Sequence, residues 1–135
     1  MKNKFKGFTL IELLVVISII VILISMGITS FSTAQRKARD AKRKADLREM
    51  KISLEQYYTV CGLVYPELNP GESYYTSVIC QDPYFEIMLN APLDPKTGSF
   101  YVCVDPPGDN CNSTGFNMCS DLEGEAIQYC IKNSQ

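Results

Sequence analysis

Read for hydrophobic and polar positions alone, the chain falls into three unlike stretches. From Phe8 to Phe31 it is apolar on every side, with Glu12 as the single charged residue and Ser18 and Ser25 as small polar interruptions. That run is 24 residues long, and a helix needs roughly 20 to cross a bilayer core. A segment hydrophobic all round is a membrane span or a helix buried in a bundle. An ordinary secretory signal has a shorter apolar core and a small-residue cleavage site behind it, so this segment is expected to stay as an anchor.

From Ser32 to Tyr58 there is neither Pro nor Gly, and the pattern becomes two-faced. At ~100° per residue Ala34, Ala38, Ala41, Ala45 and Ile52 fall on one side, and Leu47, Met50, Leu54, Tyr57, Tyr58 and Cys61 on the other. The second stripe is expected to pack on the chain's own globular part, and the alanine stripe to serve contacts between copies. The whole predicts one helix of about fifty residues, or about 75 Å.

After Cys61-Gly62 the chain turns rich in Tyr, Pro, Gly, Asp and Asn. Strands are expected at 73–80, 99–105, 116–120 and 125–132, where aromatic and β-branched residues gather. Lys96-Thr97-Gly98 and Leu122-Glu123-Gly124 are expected turns, and 84–90 reads as either extended or a short helix. The fold class is therefore α+β, a long N-terminal helix on a small disulfide-rich antiparallel sheet. The expected divisions are 1–7 as a leader, 8–31 as the apolar anchor, 32–60 as its amphipathic continuation and 61–135 as the head.

Composition adds compartment and chemistry. The 135 residues include six Cys and no His, which removes the commonest general base and metal ligand. With no C-x-x-C and no phosphate-binding glycine loop, nothing points to an enzyme. All six cysteines (Cys61, Cys80, Cys103, Cys111, Cys119, Cys130) lie beyond the anchor, and an even set within about 75 residues reads as a disulfide framework in an oxidising compartment. This places the head outside the membrane and the leader, with Lys2, Lys4 and Lys6, on the cytoplasmic side. Fifteen pairings are open, and Cys61 with Cys80 is favoured because it would tie the helix end to the following loop. The net charge of -2 conceals a segregation. The first 51 residues hold 11 of the 13 Lys and Arg, whereas residues 52–135 carry two cations against eleven acids. The basic stretch from Arg36 to Lys44 has no interleaved aromatics for stacking on bases, so a solvated or intersubunit role is preferred to DNA capture.

Gly7-Phe8-Thr9-Leu10-Ile11-Glu12, opening an aliphatic helix behind a lysine-bearing leader, resembles the type IV pilin and pseudopilin family. The resemblance covers about the first 55 residues, and the rest only in layout. It implies a pilin fold, cleavage between Gly7 and Phe8 by a prepilin peptidase, and N-methylation of Phe8. It further implies a single-pass precursor in the cytoplasmic membrane, an inner-membrane assembly platform as partner, and a homopolymeric extracellular filament. Glu12 fits that scheme: a carboxylate in hydrocarbon costs about 2.5–3.5 kcal/mol, and the amine freed on a neighbouring subunit would pair with it. No proline interrupts the apolar helix, unlike many type IV pilins, and 27–30 reads Gly-Ile-Thr-Ser instead.

The implied role is a pilus subunit serving adhesion, motility or DNA uptake, with a major pseudopilin of a type II secretion system as the alternative. A single-span anchored binding module that never polymerises is the alternative of another class. Related pseudopilins bind calcium in a loop. Asp105, Asp109 and Asp121, with Asn110 and Asn112 nearby, are the weaker candidates for such a site, against a solvated loop; otherwise no cofactor is expected. The run from Ala91 to Gly98 is similar to the loop ahead of the sheet in major pseudopilins, and Asn112-Ser113-Thr114 matches a glycosylation sequon.

Overall fold

A computed structural model describes residues 7–69, 71–104 and 111–134, without the side chains of Ile28 and Thr29. One helix, α1 (Leu10–Val60), runs for 51 residues and passes through Gly27 unbroken. Its end follows from local sequence. The Cys61 N–H reaches the Tyr57 carbonyl at 2.8 Å and the Leu63 N–H reaches that of Tyr58 at 3.0 Å. Gly62 supplies the left-handed turn (φ 87°) that this closure requires.

The chain divides into two units, Met1–Gln35 and Arg36–Gln135. In the first, every described aliphatic side chain of α1 is exposed, and mean hydropathy reaches 2.9 over an 18-residue stretch with none of it buried.

In the second unit, the remainder of α1 packs on two antiparallel hairpins: β1 (Val78–Gln81) with β2 (Tyr84–Met88), and β3 (Asn117–Asp121) with β4 (Gln128–Lys132). The stripe expected to face the head does so. Leu47, Met50 and Leu54 are fully buried against Tyr65, Val78, Phe116 and Met118, with Tyr57 and Tyr58 packed beside them. Ala34, Ala38, Ala41 and Ala45 stay exposed, as does Ile52.

The sheet differs from expectation in two places. Residues 84–90, which read as extended or a short helix, begin as strand β2, folded back on β1 through the two-residue turn Asp82-Pro83. Residues 99–105 do not form a strand over their described part. Phe100 bridges Leu93, Val102 bridges Tyr74 and Cys103 bridges Met118, so the partner changes almost residue by residue and no ladder builds. Those bridges join the two hairpins, giving two small sheets where one was expected. Tyr74 keeps only its bridge, which shortens the 73–80 strand to β1.

The disulfides pair Cys61 with Cys80, Cys103 with Cys111 and Cys119 with Cys130. The first ties the helix end to β1, and the third staples two residues directly opposed on β3 and β4.

Candidate functional site

Two places carry chemistry: the start of α1, and the polar seam where α1 meets the head.

At the start, Gly7 is exposed and Phe8 is 92% exposed, so the peptide bond between them stands free of the fold. Thr9 sits just before the first helical residue, where the leading N–H groups of a helix lack partners. The Thr9 hydroxyl accepts the Glu12 N–H at 3.3 Å. The Glu12 carboxylate in turn accepts from the Thr9 N–H at 2.8 Å and the Thr9 hydroxyl at 2.7 Å. This is a capping box, built from Thr at the cap and Glu three residues on. Glu12 therefore has a partner inside its own chain. The signature is local, Thr9-Leu10-Ile11-Glu12, and supplies hydrogen-bond donors to the carboxylate where no opposite charge lies nearby among the described residues.

A cleft lined by Phe8, Ile11, Glu12, Val15 and Val16 opens beside the carboxylate. Residues 2–28 match the family model described as the prokaryotic N-terminal methylation motif. The chain carries a prepilin signal. That signal is shared by type IV pilins and pseudopilins, and the match covers the start of the chain, residues 2–28. Followed by an exposed apolar helix, it fits a membrane-anchored precursor that a prepilin peptidase processes. No curated protein and no solved structure matches the chain.

The second place was not foreseen. Three cations of the basic stretch from Arg36 to Lys44, expected to be solvated or to face other copies, are engaged by this chain's own head, while Arg36, Lys37 and Lys42 stay exposed. Arg43 is only 4% exposed. Its Nε meets Asp94 Oδ2 at 2.6 Å, and its Nη1 meets Asp40 at 2.9 Å and Glu123 at 3.0 Å. Arg39 forks onto Glu123 through two bonds of 2.9 and 2.8 Å. Lys44 pairs with Glu125 at 2.7 Å. Asp40, likewise buried, accepts the backbone N–H groups of Glu123 and Gly124 at 2.9 and 2.7 Å, clasping the turn between β3 and β4. Gly124 permits that approach, since a Cβ there would lie 3.0 Å from Asp40 Oδ2. Asp94 accepts the Lys96 and Thr97 N–H groups at 2.8 and 2.9 Å, so one guanidinium holds both the 94–98 loop and the turn to the helix.

The electrostatics follow the geometry. Burial pushes the Asp94 carboxyl up, but the Arg43 guanidinium and the two loop N–H groups outweigh it and bring it down to about 2. Burial likewise opposes ionisation of Asp40, and the N–H groups of Glu123 and Gly124 with Arg43 hold it below the usual carboxylate range. The Arg39 fork depresses Glu123 strongly, helped by Lys96 and Arg43. The Asp94 bond raises Arg43 further above its already high value. Deeper in the seam the Tyr101 hydroxyl donates to Asp46 at 2.9 Å, and burial, then this bond, pushes that phenol up. Lys42 reaches the other oxygen of Asp46 at 2.6 Å.

A sequence signal for the clasp existed. Positions 40, 43, 47, 50 and 54 continue the 3,4 spacing of the packing face backwards, and only the charge of Asp40 and Arg43 hid them.

Of the calcium candidates, Asp105 and Asp109, with Asn110, lie outside the described residues. Asp121 is exposed in β3 and accepts from Gln128 at 3.4 Å. Asn112 Oδ1 is occupied by the Thr114 and Gly115 N–H groups and the Thr114 hydroxyl. No metal-holding group of three or more His, Cys, Asp or Glu occurs among the described residues.

Proposed function

We propose that this protein is the precursor of a type IV pilus subunit, inserted with its leader in the cytoplasm and its head outside. Prepilin peptidase would cut between Gly7 and Phe8 and methylate the new Phe8 amine. Mature copies would then polymerise through the apolar helix into an extracellular filament, with Glu12 pairing with the Phe8 amine of a neighbour. The observation that carries this reading is the methylation motif over residues 2–28, which runs into a helix whose described aliphatic side chains are all exposed as far as Gln35. Three disulfides in a small head support a pilus over a secretion pseudopilus, since a thin core outside the cell gains from each cross-link.

One observation favours the anchored module that does not polymerise: the capping box satisfies Glu12 without a neighbour. Intact mass and N-terminal sequencing of protein from its native cells decide the processing step. A mature chain beginning at methylated Phe8 is the expected result. An intact Met1 in cells with active peptidase would overturn the proposal, and the anchored module would take its place.

A further inference from the structure

Within the unit Arg36–Gln135, two exposed cations outside the ion pairs stand near one end of the helix, and two exposed carboxylates line a groove near the other. At the end nearer the apolar segment, four cations (Arg39, Arg43, Lys44 and Lys96) meet the carboxylates of Asp40, Asp94, Glu123 and Glu125. Arg36 and Lys37 are exposed, with no ion pair among the described residues. Beyond the other end of α1 lies a groove of about 360 Å³, lined by Tyr57, Glu67, Asn69, Glu72, Tyr74 and Tyr75 among others. Its two carboxylates are exposed. Glu72 accepts from Asn69 Nδ2 at 2.8 Å, and Glu67 has no ion pair among the described residues. The groove is polar and anionic, and tyrosine faces suit the stem and head of a long cationic side chain.

Lys37 and Tyr57 are twenty residues apart on one helix, about 30 Å at 1.5 Å per residue. A chain therefore cannot bring its own Arg36 or Lys37 to its own groove, whereas a second copy displaced along the helix can. Joining unlike surfaces head to tail is a heterologous contact, and such contacts extend without closing when the rotation does not complete a ring. We propose that the Tyr57–Glu67–Glu72 groove receives Arg36 and Lys37 of a second copy of this chain. This rests on the filament reading above and gives it a specific interface in the heads.

The test is zero-length carbodiimide cross-linking of filaments sheared from native cells, followed by peptide mass spectrometry. The expected product joins Lys37 to Glu67 or Glu72, which must be intermolecular because the groups are too far apart within one chain. Lys44 with Glu125, 2.7 Å apart in the same chain, is the internal control. Control links without any Lys37 link to the groove would overturn the interface and leave the filament reading intact; a groove occupied by a soluble cation or a glycan gives this result. Recovery of monomers alone, with no filament to shear, would overturn both. Charge reversal checks the same contact by another route. Arg36→Glu with Lys37→Glu, and separately Glu67→Lys with Glu72→Lys, are each expected to lower filament yield by about tenfold through like-charge juxtaposition. Combining the four restores it. No rescue, or no loss in either pair, would refute the contact.

Discussion

Replacing Arg43 by Met tests whether the charged seam holds the head on the helix. The substitution keeps most of the apolar stem and removes the guanidinium, leaving the carboxylates of Asp40, Asp94 and Glu123 without their shared cation. Asp40 and Arg43 are 5% and 4% exposed, so water does not readily replace what is lost. Removing one partner of a buried ion pair typically destabilises by about 3–5 kcal/mol. Asp40 keeps two backbone donors and Asp94 keeps two of its own, which places the expectation at the lower end, about 3 kcal/mol. For a unit of this size that corresponds to a fall in Tm of about 12 °C or more. The assay is near-ultraviolet circular dichroism of the oxidised, detergent-solubilised chain during heating. Arg36→Met, at an exposed position on the same helix, serves as the control and is expected within about 0.5 kcal/mol of the parent. Arg43→Lys should fall between the two, since an ammonium keeps the charge but loses the fork. An Arg43→Met protein within about 1 kcal/mol of the parent would show that the three carboxylates are satisfied without Arg43, and the account of the seam would be wrong.

Other expectations follow from the same geometry. Asp94 is held at about 2 against an ordinary 3.8, so its stabilising contribution is present above pH ~4 and is lost as pH falls from there towards 2. Acid titration of the folded head should show that loss, and Asp94→Asn should flatten it. Glu12→Gln retains the capping box but not the charge, whereas Glu12→Ala loses both. If Glu12 pairs with a neighbour's amine, both variants should be processed and fail to assemble; normal filaments from the Gln variant would assign Glu12 to capping alone. Replacing Cys61 and Cys80 together by Ser opens a loop with a sequence separation of 19 and should lower stability by about 3 kcal/mol in denaturant titration. Tyr101→Phe leaves one oxygen of the fully buried Asp46 without its donor, with an expected loss of about 1–3 kcal/mol in the same experiment.

The sequence was sufficient for whatever depends on near neighbours. An aliphatic run of bilayer length, a helix uninterrupted by proline, the Gly62 stop and the Leu47–Met50–Leu54 face are all decided within one or two helical turns, and they stand as read. So does the prepilin signal, which is a local string. Thr9 with Glu12 is equally local, and its short reach made it readable in principle. Tertiary structure decided what depends on distant partners. Arg43 sits in a stretch that looks solvated, and only its place on the 3,4 spacing of the packing face separates it from Lys37. Its burial is set by Asp94, 51 residues on, and by Glu123, whose turn is brought back only when β3 pairs with β4. The disulfide partners and the failure of 99–105 to form a strand belong to the same class, because each depends on which segments the fold sets side by side. Sequence shows that a residue is charged or extended-prone; only the folded chain determines whether water or another part of the molecule meets it.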